Sequence, residues 1–381
     1  MNIQELRNMF PALSRTVYGK PLVYFDNAAT AQRPQSVIDK WTELTVGANA
    51  NIHRAVHKLA VDATDEYEST RDAVKEYLNA ASREEIVFTS GTTESINLVA
   101  FSFGETFVNE GDEIIVSEAE HHSDIVPWQM LCQRKGAVLR VLHVDEDGHL
   151  NLEELKSLLN PKTRIVAVTQ ISNVLGILNP VKEIVSICHS AGCPVLIDGA
   201  QGMVHEGVDV QDVDCDFYAF SGHKLYAATG TGVLYGKRKW LNQMVPYQGG
   251  GEMISTVRFS GTTYAPLPEK FEAGTQNINA IPTLEPAIEM LKLMKDKELL
   301  NAQEAVSQYL LHALTSNPRI RLYGVPRGTE TKIPLFSFSV EGAHHEDLAL
   351  ILDKMGIAVR SGQMCAEPLM DRFGVTGMLR A

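Results

Sequence analysis

The residues able to do chemistry in this 381-residue chain sit where apolar runs end. Phe217-Tyr218-Ala219-Phe220 reads as a buried strand, and Ser221-Gly222-His223-Lys224 follows it directly. A lysine amine just past a buried strand is placed to form an imine with an aldehyde. The hydroxyl and imidazole beside it can donate to a phosphate. On this stretch alone, Lys224 reads equally well as a solvated loop residue. Val195-Leu196-Ile197 runs into Asp198-Gly199-Ala200-Gln201, putting a carboxylate at another strand end. Taken singly, Asp198 reads first as a helix cap or a metal ligand. Beside Lys224 it reads as the acid that keeps a pyridine nitrogen protonated, with Gln201 reaching the ring hydroxyl. An amine for an aldehyde and an acid for a pyridine describe a pyridoxal 5′-phosphate site.

That cofactor carries a phosphate, and a cradle for one is present. Phe88-Thr89-Ser90 ends a strand and Gly91-Thr92-Thr93-Glu94 opens a helix, so backbone N–H groups and the Thr92 and Thr93 hydroxyls face one another's ligand. Ordinary capping by threonine is the alternative. Other phosphate motifs fail: Gly232 and Gly236-Lys237 are too close for a P-loop, and Gly230, Gly232 and Gly236 miss the dinucleotide spacing. His121-His122 and Asn173 follow two further strand ends. Each could be a satisfied structural polar residue, but an imidazole there could also stack on a cofactor ring and move a proton.

Positioning these residues requires a particular scaffold. Residues 85–90, 113–117, 137–144, 164–170, 195–198 and 217–220 read as buried strands. Helical patterns over 58–78, 125–135, 152–159 and 181–191 alternate with them. This succession predicts an α/β fold with a mostly parallel sheet covered on both faces, whose ligands collect at the carboxyl ends of strands. Beyond Gly249-Gly250-Gly251 the pattern becomes irregular. A long helix over 284–314, strands near 320–322 and 335–340, a helix over 346–355 and a short strand at 358–359 then predict a smaller α+β lobe.

Composition limits the partners. Apolar residues at 44% provide ample core, while a net charge of −13 disfavours nucleic acid and anionic membrane surfaces. No apolar run approaches the roughly 20 residues needed to span a bilayer. Glu5 and Arg7 interrupt the apolar pattern of the first 13 residues, unlike a secretory signal. The five scattered cysteines suggest neither a disulfide framework nor a zinc site, so the expected setting is cytoplasmic, with no metal.

The ordered set Asn51-Ile52-His53-Arg54, Gly91-Thr92-Thr93-Glu94-Ser95-Ile96-Asn97, Glu120-His121-His122, Asp198-Gly199-Ala200-Gln201 and Ser221-Gly222-His223-Lys224-Leu225-Tyr226 resembles fold type I pyridoxal-phosphate enzymes. Phe271-Glu272-Ala273-Gly274-Thr275 and Arg360-Ser361-Gly362-Gln363-Met364-Cys365-Ala366 extend the likeness. Within the class V aminotransferase superfamily the set resembles the group II cysteine desulfurases, from Tyr24-Phe25-Asp26-Asn27-Ala28-Ala29 to Arg380. The resemblance implies a large domain over 23–283 with a mostly parallel seven-stranded sheet, and a smaller α+β domain from 1–22 and 284–381. It implies that Lys224 bonds the cofactor, Asp198 pairs with its pyridine nitrogen, Gln201 meets its phenolic oxygen and His121 stacks on its ring. Thr93, Ser221 and His223 would hold the phosphate, and Thr275 would reach a partner subunit's cofactor in a homodimer. Asn173 and Arg380 would bind the substrate carboxylate, with Arg360 and His53 near the substrate.

The same resemblance implies conversion of L-cysteine to L-alanine, with sulfur passed to Cys365 as a persulfide and on to a SufE-type acceptor for iron–sulfur cluster assembly. A lone cysteine in a glycine-containing loop is more often inert, but a thiolate on such a segment can attack substrate sulfur. Selenocysteine lyase or cysteine sulfinate desulfinase activity, or a weakly catalytic sulfur-transfer scaffold, are the alternatives. Gly249-Gly250-Gly251-Glu252-Met253-Ile254 resembles the start of an extra hairpin in these enzymes. Gln363-Met364 stand where many relatives have histidine, and Ala227-Ala228 where a Gly/Pro pair is common. Arg380 is followed only by Ala381, a position that predicts a fraying end.

Overall fold

The computed structural model describes residues 2–325 and 332–381. Seven strands form the central sheet: β1 (Ile86–Thr89), β2 (Glu113–Ser117), β3 (Val138–Leu142), β4 (Thr163–Thr169), β5 (Val195–Asp198), β6 (Phe217–Ser221) and β7 (Gly232–Gly236). Their order is β1-β7-β6-β5-β4-β2-β3, and every pairing is parallel except the two made by β7. Strand alternation splits the side chains between two cores. Ile115, Val166, Val168 and Ile197 face one core, with Tyr67 and Val74 of the helix Lys58–Leu78. Ile114, Val116, Ile165 and Leu196 face the other, with Ile96 and Phe103 of the helix Thr92–Phe107 and Trp128 of the helix Val126–Lys135. Burying each such side chain contributes roughly 1.5–3 kcal/mol, so both faces resist polar substitution.

Register sets the polar strand ends side by side. Thr169 pairs with Asp198, Asp198 with Ala219, Ser221 with Gly232, and Gly232 with Thr89. β7, the seventh strand that the resemblance implies, is not among the six located in the sequence, and glycines bracket its Val233-Leu234-Tyr235 run. Its first glycine has a packing reason: a Cβ at Gly232 would lie 2.3 Å from Gly91 Cα. The long helix expected over 284–314 is two helices, Leu284–Met294 and Lys297–Thr315. Asp296 breaks it by capping the second, accepting from Glu298 N–H at 3.0 Å. The first buries Leu284, Ala287, Ile288 and Leu291 in the core beneath the large sheet.

A second, antiparallel sheet has the order Ile320–Tyr323, Ser337–Val340, Met378–Arg380, Arg360–Gly362. The expectation of a fraying Arg380 is thereby overturned. Arg380 is 3% exposed and lies opposite Ser337 on one side and Arg360 on the other. Two flanking strands hold this segment. Near the N-terminus Val23–Tyr24 pairs in parallel with Ile357–Ala358. The segment after Gly251 forms an exposed hairpin, Ile254–Arg258 with Gly261–Tyr264. Among the described residues no helix is long and apolar enough to cross a membrane.

One buried ion pair ties the scaffold together behind β1. Arg71 reaches Glu272 through two bonds of 2.7 and 2.9 Å, and Ile86 O at 2.8 Å. Glu272 in turn accepts from Phe88 N–H at 2.7 Å. Removing Glu272 strips two bonds from the buried Arg71 guanidinium and leaves only the partly exposed Glu68, at 3.0 and 3.1 Å, as its ionic partner. Glu272→Ala is therefore expected to cost about 3–5 kcal/mol, read as a fall in the urea midpoint at unchanged slope. An unchanged midpoint would refute the assignment.

Candidate active site

A cavity of about 300 Å³ opens at the row of polar strand ends. Lys224 and Asp198 line it with Thr92, Thr93, His121, Asn173, Ser221, His223, Arg360, Cys365 and Arg380. A larger cavity of about 920 Å³, lined by Tyr77, Gln170, Asn179 and Lys295, contains none of the residues singled out from sequence. Volume alone does not locate the chemistry; convergence of reactive groups does.

Lys224 and Asp198 are electrostatically paired. Burial pulls the Lys224 amine below its ordinary range and Arg380 adds to this, while Asp198 and Cys365 oppose it. A lowered amine is a better nucleophile toward an aldehyde. Burial pushes the Asp198 carboxyl up, against the nearby Lys224 charge and the Ala200 N–H that donates to Oδ1 at 2.8 Å. Among the described residues no three His, Cys, Asp or Glu side chains group as a metal-binding cluster.

His121 has a defined tautomer. Its Nδ1 accepts from Ser123 N–H at 3.1 Å and lies 2.7 Å from Ser123 Oγ. Nδ1 is thus the acceptor, and the neutral ring carries its proton on Nε2. Burial first, then Lys224, His122 and Arg380, holds its pKa down at about 4. The ring is neutral at physiological pH, as stacking on an electron-poor ring requires.

The anion cradle is built from both sides of β7. The helix Thr92–Phe107 starts at Gly91 with no side-chain cap. Ser221 Oγ accepts from Thr92 N–H at 2.8 Å and lies 2.8 Å from Thr92 Oγ1. His223 Nδ1 is 3.0 Å from Thr30 Oγ1, which brings a hydroxyl from a distant segment.

The same cavity is lined by a thiol. Cys365 is exposed, whereas Cys132, Cys188, Cys193 and Cys215 are buried. Met364 and Cys365 both adopt left-handed backbone conformations, with φ of 54° and 56°. Such geometry costs about 1–3 kcal/mol per non-glycine residue and persists only where surroundings enforce it. Asn173 Nδ2 donates to Met364 O at 2.8 Å, and His122 N–H donates to Cys365 O at 2.8 Å. Asn173, expected at a substrate carboxylate, thus also clamps the cysteine loop. Asn173→Ala is expected to raise the alkylation rate of Cys365, the exposed thiol, in the protein without substrate. An unchanged rate would mean that the amide does not restrain the loop.

The arginines share a partner that sequence did not reveal. Arg360 binds Asp26 through two bonds of 2.9 and 2.7 Å. Arg380 donates to Asn173 O at 2.8 Å and to Asp26 at 3.3 Å. Arg380 Nε is buried without an acceptor, a donor available to a bound carboxylate. Three expected site residues do not line the cavity. Gln201 Nε2 donates to Ala28 O at 2.7 Å, placing the side chain behind the cavity wall. His53 Nε2 lies 3.1 Å from Glu68 Oε1, which holds the imidazole against the helix Lys58–Leu78. Thr275 lines a separate cavity with Thr89, Ser90 and Glu94.

Residues 23–381 match the family model described as aminotransferase class-V. The chain belongs to that family. It is 47% identical over 380 residues to a cysteine desulfurase of Pectobacterium atrosepticum, covering 100% of this chain and 92% of the relative. The cysteine desulfurase CsdA of Escherichia coli, in an S-sulfonic acid form, superposes with a TM-score of 0.89 at 40% identity, covering 100% and 93%. The apo cysteine desulfurase of Thermococcus onnurineus NA1 gives 0.92 at 35% identity, covering 100% and 93%. These enzymes use pyridoxal 5′-phosphate, and the cavity fits that group. A helix start at Gly91 with three hydroxyls suits the phosphate, a buried carboxyl suits the ring nitrogen, and a depressed lysine amine suits the aldehyde.

Proposed function

We propose that this class-V aminotransferase-family chain is a cysteine desulfurase, a sulfurtransferase in which Lys224 and Cys365 divide the work. The observation that carries the reading is one exposed thiol, on a clamped loop, lining the same cavity as the Lys224–Asp198 pair. The bound cofactor supplies an electron sink for carbon–hydrogen and carbon–sulfur bond cleavage. Lys224 would hold the cofactor and, once freed, take the substrate's α-proton on Nζ. Asp198 would keep the ring nitrogen protonated, and His121 would lie over the ring with its neutral imidazole. Thr92, Thr93, Ser221 and His223 hold the phosphate, and Arg380, with Asn173 and Arg360 beside it, orients the substrate carboxylate.

Cys365 attacks the sulfur of L-cysteine as a thiolate. An S–S bond forms as the C–S bond breaks, the electron pair stays with carbon, and protons delivered to the β-carbon and back to the α-carbon release L-alanine. Exposure of Cys365 suits onward transfer to a SufE-type acceptor serving iron–sulfur cluster assembly. Thr275 and His53 lie outside this chain's own cavity, which supports a homodimer in which Thr275 reaches across to the second site. Five free cysteines, four of them buried, are in keeping with a reducing cytoplasm. L-Alanine formation from L-cysteine, assayed with and without acceptor protein and reductant, tests the reading. No alanine under either condition would exclude it.

A further inference from the structure

Two acids meet beneath the His121 loop, and the mechanism above uses neither. Glu120 and Asp124 have no solvent exposure. Each has one oxygen accounted for. Glu120 Oε1 accepts from Ser117 Oγ and from Thr169 N–H at 2.9 Å, which ties the ends of β2 and β4. Asp124 Oδ1 accepts from Trp128 Nε1 at 2.8 Å, which ties the helix Val126–Lys135. Their other oxygens, Glu120 Oε2 and Asp124 Oδ2, are buried without a donor. The two carboxyls are within hydrogen-bonding reach of each other, yet two carboxylates cannot bond without a proton.

We infer that Glu120 and Asp124 share a single proton, and that this acid–carboxylate bond closes the loop carrying His121. Both ends of that loop are then fixed: one to the sheet through Glu120, the other to a helix through Asp124. The proton answers both orphaned oxygens at once, and leaves one buried negative charge where there would be two. The other charged group bearing on both acids is Asp198 from β5, which raises the cost of a second charge and itself faces Lys224. Thr169, Ser117 and Trp128 contribute neutral donors only. Burial first, then repulsion from Asp198, holds Glu120 up at about 8 against the bonds from Ser117, Thr169 and Asp124, while burial, then Glu120 and Asp198, pushes Asp124 up. The pair acts on the reaction only by positioning His121, and the reading stands or falls independently of Cys365 and sulfur transfer.

The sign of the pH effect follows from proton counting. Between the ordinary carboxylate range and about 8, the folded protein holds a proton that the unfolded chain has released. Stability therefore falls as pH rises through that window. In Asp124→Asn the amide oxygen accepts from Trp128 and the amide N–H₂ donates to Glu120, so no shared proton is needed. Urea unfolding of the cofactor-loaded enzyme between about pH 6 and pH 9 should show a falling midpoint in the wild type and loss of that fall in Asp124→Asn and in Glu120→Gln. Infrared spectra of the wild type at neutral pH should show a protonated-carboxyl stretch that disappears in both variants. An equal fall in the variants, or no protonated carboxyl in the wild type, overturns the inference. The wild-type spectrum decides alone if neither variant folds, and none of these readouts requires turnover.

Discussion

Lys224→Ala should lower L-alanine formation by at least about 10⁴-fold, the upper end of what one positioned acid–base group contributes. The loss is large because one amine has two tasks, attaching the cofactor and accepting the α-proton. The surroundings explain why no neighbour substitutes. His121 is neutral, with Nδ1 engaged by Ser123, and His223 Nδ1 is engaged by Thr30. Arg380 is a poor base, and Asp198 is a buried carboxyl whose ordinary role is to face a positive ring. Removing the lysine also removes the charge that draws Asp198 down, so its carboxyl should rise further. Retention of the cofactor's lysine-linked absorption in Lys224→Ala, or alanine formation within tenfold of wild type, would contradict this assignment.

Cys365→Ser should leave cofactor uptake intact while cutting sulfur release from L-cysteine by about 10³-fold or more, as loss of an activated nucleophile does. Serine has the same shape but is a far weaker nucleophile at neutral pH than a thiolate. Cleavage of L-selenocysteine should survive, because selenium leaves without attack by the enzyme. The backbone argument predicts an unchanged loop: Asn173 and His122 grip the carbonyls of Met364 and Cys365, not the thiol. Persulfide mapping by mass spectrometry provides the parallel measurement. Full cysteine activity in the serine variant would remove Cys365 from the mechanism.

Some of this site was visible in the sequence for a plain physical reason. Lys224, Asp198, Thr92, Thr93 and His121 each stand within a few residues of a strand's carboxyl end, and a parallel sheet gathers such ends along one edge. Asp26 was invisible as a site residue because its partner Arg360 is 334 positions away, joined only when the N-terminal strand meets the C-terminal segment. The Glu120–Asp124 pair was invisible because an i, i+4 spacing of acids reads as mild repulsion on a helix. Here the intervening residues are a loop and a short 3₁₀ turn, which fold the two carboxyls inward. Arg380 was misjudged by treating position near an end as mobility, when pairing with Ser337 and Arg360 decides it. β7 is absent from the strands read from sequence, where Gly232 is weighed only as a phosphate-loop glycine; the close approach of Gly91 is what requires it.

Borohydride reduction of the cofactor-loaded protein, followed by peptide mapping, addresses the amine directly. The mass of the reduced cofactor should sit on Lys224 and nowhere else, and prior addition of L-cysteine should diminish that labelling. Recovery of an unmodified Lys224 peptide from fully loaded protein, or label on another lysine, would contradict the whole assignment of the cavity.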